Sequence, residues 1–139
     1  MADIFISYAR EDRSRIEPLA RALAERGWSV WWDRRFRPGE DIDRRISEEL
    51  AAARCIIVAW SNSALKSPWV RDEAAEGRDR NVLASVLLEQ VMPPLGFRAF
   101  HAADLSGWRG QRDDELEKLL IDIGEISWSS RRAEQRRLG

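Results

Sequence analysis

The sequence holds one cysteine, Cys55, and one histidine, His101, among 139 residues. That scarcity excludes much chemistry. An internal disulfide needs two thiols and a zinc site of the usual kind needs several Cys and His ligands, so the chain can assemble neither. The carboxylates show no metal-loop spacing, and no metal is predicted. A Ser-His-Asp or Cys-His arrangement would have to recruit His101, which sits among apolar neighbours, and there is no Gly-x-Ser-x-Gly elbow. Neither a Gly-x-Gly-x-x-Gly turn nor a Walker-type lysine loop follows the first apolar run. The usual backbone cradles for a dinucleotide pyrophosphate or a nucleoside triphosphate are therefore missing.

Long hydrophobic runs are also lacking. No stretch approaches the ~20 apolar residues of a membrane helix, and the N-terminus, Met1 to Tyr8, has no signal-peptide pattern. Excess charge of one sign is absent too: 23 basic and 24 acidic residues leave a net charge of -1, so no global field favours nucleic acid or an anionic membrane. Cys55 lies inside the apolar run Cys55-Ile56-Ile57-Val58-Ala59-Trp60, where a thiol is expected to be buried in a reducing compartment. These features predict a cytoplasmic protein, and the length fits one domain.

What is present is a rhythm. Short apolar runs alternate with helix-period stretches, the pattern of βαβ units around a parallel sheet. Ile4-Phe5-Ile6 predicts a first strand, and Ile16, Leu19, Ala20 and Leu23 mark a helix starting between Asp12 and Glu17, with Pro18 in or near its first turn. Trp28 to Trp32 predicts a second strand, followed by an exposed loop, Asp33 to Glu40, with a Pro38-Gly39 turn signal. Ile42, Ile46, Leu50 and Ala53 predict a helix, and Cys55 to Trp60 a central strand. Ser61-Asn62-Ser63 reads as a polar turn. Ser67-Pro68 predicts a helix start, Ser67 as cap and Pro68 at the first helical position, which puts Trp69 and Glu73 on one face at i, i+4. Val82 to Leu88 and Arg98 to His101 predict the last strands, and Leu116, Leu119, Leu120 and Ile123 a closing helix. Residues 127–139 read as a polar, Arg-rich tail or linker.

Four segments in order carry a resemblance. They are Asp3-Ile4-Phe5-Ile6-Ser7-Tyr8 with Arg10-Glu11-Asp12; Gly27 to Asp33 with Pro38-Gly39; the strand end Trp60-Ser61; and Ser67-Pro68-Trp69-Val70-Arg71-Asp72-Glu73. Together they resemble TIR (Toll/interleukin-1 receptor) domains, particularly bacterial ones. The resemblance places that domain at residues 1–126. It implies a flavodoxin-like three-layer α/β sandwich, with about five parallel strands and helices on both faces. A receiver domain shares that architecture, but its acidic positions are filled here by Ser7-Tyr8 and Trp60-Ser61.

The resemblance implies two possible activities: cleavage of NAD+ at the nicotinamide–ribose bond, or non-catalytic scaffolding through contacts between TIR domains. In the enzymatic members a glutamate early in the third helix acts on NAD+, commonly in the pattern Trp-Cys-x-x-Glu. Glu73 matches that glutamate and Trp69 the tryptophan, while Val70 replaces the usual thiol. NAD+ would be substrate, with no cofactor. One carboxylate can suffice, because nicotinamide leaves as a neutral group and the remaining task is to stabilise an oxocarbenium-like ribose. Trp69 could stack on nicotinamide or adenine. Ser7, Tyr8 and Arg10 end the first strand, where open α/β sheets bind ligands, so Arg10 is a candidate for the pyrophosphate. Asp33 is a further candidate substrate contact. Arg35, Pro38 and Gly39 resemble the family's assembly loop, which implies other TIR domains as partners, in a homo-oligomer or filament, and a sensor outside this chain. Of the seven tryptophans, Trp28, Trp31 and Trp60 are expected in the core, and Trp108 and Trp128 on contact surface.

Overall fold

The computed structural model describes residues 2–111 and 113–138. Five parallel strands form one sheet: β1 (Ile4–Ser7), β2 (Val30–Trp31), β3 (Cys55–Trp60), β4 (Leu83–Leu87) and β5 (Ala102–Asp104), in the spatial order β2-β1-β3-β4-β5. The helices are α1 (Arg13–Glu25), α2 (Ile42–Ala52), the short α3 (Asn62–Leu65), α4 (Pro68–Asp79) and α5 (Asp114–Leu138). This is the expected three-layer sandwich. Successive strand residues face opposite sides. Ile4 and Ile6 join the core under α1 and α5, whereas Phe5, Ile56 and Val58 join the core under α2 and α4.

Local chemistry explains where α4 begins and how it packs. The Ser67 side chain accepts the Val70 amide hydrogen and Pro68 occupies the first turn, a cap worth about 1 kcal/mol. Val70, Glu73, Ala74 and Gly77 then form the buried stripe at i, i+3, i+4 and i+7. Gly77 permits close approach: a Cβ there would lie 3.1 Å from both Ile56 Cβ and Leu83 Cδ1. Glu73 is thus carried inward on a packed helix face.

Several expectations need correction. Pro18 lies inside α1, because a 3-10 turn at Arg10–Asp12 lets the helix start at Arg13. Only Val30–Trp31 of the second apolar run pairs as strand. Ser61 caps α3 by accepting from the Ala64 amide, so the polar turn leads straight into a helix. The last strand is Ala102–Asp104 rather than Arg98 to His101. Residues 97–100 turn instead, and Phe97 is buried against Trp60 with ring centroids 5.4 Å apart. Trp108 is buried in the core, its indole N–H donating to the Gln111 carbonyl, and is not a contact surface. Trp128 is exposed.

From residue 127 the backbone remains helical as part of α5, where the missing apolar period predicted a linker or frayed end. Ala, Glu, Gln, Arg and Leu dominate there, all strong helix formers that propagate a helix already nucleated by packing. Arg132 over the Trp128 ring, at 4.7 Å, adds an i, i+4 contact. Among the described residues no helix is long and apolar enough to cross a membrane, and no group of acidic, His and Cys side chains could hold a metal.

Candidate active site

The strand order reverses between β1 and β3, and the carboxyl ends of these strands form the crevice where open α/β sheets hold ligands. Ser7 ends β1 with the same facing as Phe5, toward α4. Its hydroxyl donates to Glu73 Oε1 at 2.6 Å, with both residues buried.

The rest of the Glu73 carboxylate is taken by Arg34. Nη1 donates to Oε2 and Nη2 to Oε1, each at 2.9 Å, and Nη2 also donates to the Ile6 carbonyl at 3.0 Å. This is the two-pronged guanidinium–carboxylate geometry, the strongest form of side-chain ion pair. The guanidinium carbon lies 5.0 Å from the Phe5 ring, 5.4 Å from Tyr8 and 5.3 Å from Trp31, so three aromatic faces cradle the cation. Arg34 was not among the residues singled out from sequence. No local signal marked it, and even the register that pairs Phe5 with Trp31, carried two residues further, sets position 33 rather than 34 opposite Ser7.

Above this pair opens a groove of about 690 Å³, lined in part by Tyr8, Arg10, Arg34, Phe36, Ile42 and Trp69. Its charged lining also includes Arg13, Arg35 and Lys66, against Glu11 and Asp43. The groove is therefore basic on a nearly neutral protein. Among the described residues Arg10 and Lys66 have no acidic partner, unlike Arg13, Arg34 and Arg35.

The predicted site residues divide clearly. Trp69, 60% exposed, Tyr8, Arg10 and Arg35 line the groove, while Glu73, 3% exposed, and Ser7 lie beneath it, with Arg34 between. Asp72 is exposed, as its place on the helix predicted. Asp33 does not line the groove. It pairs with Arg13 at 3.0 Å and with Arg35 at 2.7 Å, and the hydrogen bonds from Arg35, then those from Arg13, hold its carboxyl well below the usual range. Pro38 and Gly39 are exposed in the loop, Gly39 at φ +87°, a conformation open to glycine and strained for other residues.

Tyr8 helps shape the rim. Its hydroxyl donates to the Trp32 carbonyl, and burial raises its pKa despite the opposing Arg34 and Arg13 charges. Buried Asp12 accepts from the Ser61 hydroxyl and from Arg15 at 2.7 Å, tying the β1–α1 turn to the end of β3. Cys55 takes no part. It is fully buried in β3, and burial, with a smaller contribution from Asp122, pushes its thiol up to about 12. A smaller cavity of about 200 Å³ lies between β4, β5 and α5, lined by residues including Ser85, His101 and Asp122.

Residues 4–120 match the family model of the TIR domain. The chain belongs to the TIR family. Over 73 residues, 51% of this chain, it is 37% identical to the 2' cyclic ADP-D-ribose synthase BtTIR of Bacteroides thetaiotaomicron, covering 25% of that protein. A stretch of the same length is 30% identical to the probable 2' cyclic ADP-D-ribose synthase TcpO of Methanobrevibacter olleyae, covering 21% of it. The match thus spans a quarter or less of either relative. Among solved structures, the TIR domain of the Toll-related receptor TRR-2 from Hydra magnipapillata superposes with a TM-score of 0.68 at 20% identity, covering 98% of this chain and 99% of that one. A metazoan TIR-STING receptor from C. gigas matches with a TM-score of 0.68 at 23% identity, over 91% of this chain and 40% of that one. These two likenesses concern the fold.

Proposed function

We propose that this TIR domain cleaves NAD+ at the nicotinamide–ribose bond with Glu73 as the reacting carboxylate. The observation that carries the reading is the placement of a buried glutamate at the β1/β3 switch point, beside a basic groove into which the same helix projects an exposed tryptophan. The two relatives named as cyclic ADP-ribose synthases support the substrate class.

Breaking the C1′–N bond sends the bonding electron pair to the nicotinamide ring, which leaves uncharged. The ribose is left with positive charge shared between C1′ and the ring oxygen. A carboxylate fixed beside that charge stabilises it and accepts hydrogen bonds from the ribose hydroxyls. Trp69 offers a flat face for an aromatic ring, and the unpaired cations Arg10 and Lys66 suit the diphosphate. Attack by water gives linear ADP-ribose, and attack from within the molecule gives a cyclic isomer. The relatives' names favour including ring closure among the outcomes.

A second reading has one observation in its favour. Three hydrogen bonds to Glu73 also describe a structural counter-ion, and the domain would then act as a scaffold through contacts with other TIR domains. Chromatography of NAD+ incubated with concentrated protein, beside a Glu73→Gln control, separates the two. Loss of NAD+ that stops in the variant supports catalysis; intact NAD+ with both proteins supports scaffolding.

A further inference from the structure

We infer that Arg34 is an internal occupant of the active site, a guanidinium that holds the Glu73 carboxylate closed to substrate until it is displaced. The inference rests on Glu73 being the reacting group.

Both oxygens of Glu73 are engaged: Oε1 by Ser7 and Arg34, Oε2 by Arg34. A carboxylate in this state has its charge neutralised at contact distance and both oxygens already accepting. With three of about four acceptor sites filled, it offsets the developing ribose cation poorly and cannot accept both ribose hydroxyls. Among the described residues Arg34 is also the one side chain that both bonds Glu73 and lines the groove, so it stands physically between them. Removing it from Glu73 exposes the carboxylate from the groove side without moving α4.

Two features make the contact a latch rather than a permanent pair. Arg34 lies in the irregular segment between β2 and α2, which contains no helix or strand between residues 32 and 41. Its neighbour Asp33 is tied by ion pairs to Arg13 and Arg35, side chains 30% and 77% exposed, and exposed pairs of this kind are individually weak. The displaced cation has a destination, since the groove it enters is the one proposed for an anionic diphosphate. The aromatic cradle of Phe5, Tyr8 and Trp31 seats the guanidinium in the closed form by contacts that a lysine ammonium would not reproduce.

The test compares wild type, Arg34→Lys, Arg34→Ala and Glu73→Gln at one concentration, high enough for wild-type turnover to be measured and with the same state of association by light scattering, with NAD+ loss as readout and circular dichroism as the check on folding. Arg34→Lys keeps a cation but loses the two-pronged geometry, and it serves if the alanine variant does not fold. Both Arg34 variants should exceed wild-type turnover by about tenfold or more, a factor needing only about 1.4 kcal/mol of weakened closure. Free guanidinium at non-denaturing concentration should suppress the excess activity of Arg34→Ala and leave wild type unaffected. In wild-type protein saturated with carbocyclic NAD+, which cannot be cleaved, the Arg34 side-chain nitrogen resonances should shift to those of a released guanidinium. Folded Arg34 variants no faster than wild type, or unchanged Arg34 resonances in the saturated complex, overturn the latch while a dead Glu73→Gln leaves the catalytic reading standing. An active Glu73→Gln removes the reading on which the latch depends.

Discussion

Ser7 and Glu73 lie 66 positions apart in the chain and 2.6 Å apart in the fold, hydroxyl to carboxylate. The contact depends on two periodicities meeting: the two-residue alternation of β1, which turns Ser7 toward α4, and the helical stripe that turns Glu73 toward β1. Ser7→Ala should lower stability by about 1.5–3 kcal/mol, the range for a hydrogen bond to a charged group. It should also reduce kcat more than it raises KM, because the carboxylate loses its fixed orientation. Urea unfolding and steady-state NAD+ kinetics check both parts.

Glu73→Gln should abolish NAD+ turnover, and Asp72→Asn, on the exposed side of the helix, should retain most of it. The structure adds a stability consequence. Neutralising Glu73 leaves the Arg34 guanidinium partly buried without a counter-charge, and a loss of about 3 kcal/mol, the low end for breaking a buried pair, is expected. The melting temperature should fall by roughly 10 °C, so activity must be compared well below the transition. Full turnover in a folded Glu73→Gln protein would reject the assignment.

Trp69→Ala should behave as a binding variant. With 60% of the residue already exposed, truncation removes little core contact and should cost less than about 1 kcal/mol. Its effect should appear as a raised KM or an altered ratio of linear to cyclic product. A large drop in melting temperature with unchanged kinetics would show that the indole serves packing alone.

Specific activity should rise with protein concentration, because the loop from Asp33 to Glu40 resembles the element through which TIR domains assemble. A site completed by a neighbour is populated only as far as the copies associate. Gly39→Pro, which cannot adopt the φ of +87° found there, and charge reversal at Arg35 should lower association and turnover together. Constant specific activity across a hundredfold dilution of a strictly monomeric sample would reject assembly as an activator.

Stability should fall on the alkaline side through Cys55. Its folded pKa, about 12, lies above the unfolded value of about 8.5. The contribution is therefore complete below about pH 8.5 and is lost as pH rises toward the folded value, with a deficit of about 2 kcal/mol by pH 10. Cys55→Ala should flatten this slope between pH 8 and 10 in urea unfolding, and the native thiol should resist alkylation until the chain unfolds.

Strands and helices were legible wherever one physical signal governed them. Cys55–Trp60 is buried along its whole length, and the uninterrupted apolar run predicted those bounds. Ser67-Pro68 placed the start of α4 because capping and the missing proline donor act locally. The failures are tertiary. Arg98 to His101 suggested a strand, but the preceding Phe97 packs against Trp60, and residues 97–100 turn there. Trp108 looked exposed among Gly, Arg and Gln, yet the chain folds it inward. At the site, Glu73 and Trp69 were read from spacing and resemblance, whereas Arg34 was hidden in Asp33-Arg34-Arg35. Nothing local distinguishes the inward-facing arginine from its solvated neighbour, since what selects it is a carboxylate 39 positions away.

Gly77 makes the two halves of the site mechanically unequal. With Ile56 and Leu83 only 3.1 Å from where a side chain would begin, α4 sits hard against the sheet and has no slack for sliding or rotation. The backbone of Glu73, one turn earlier, belongs to the same closely packed helix. Arg34 hangs from irregular backbone through a long side chain. Any opening of the crevice is therefore one-sided: the anvil stays, the arginine swings, and a bulkier residue at Gly77 would disturb aim rather than access.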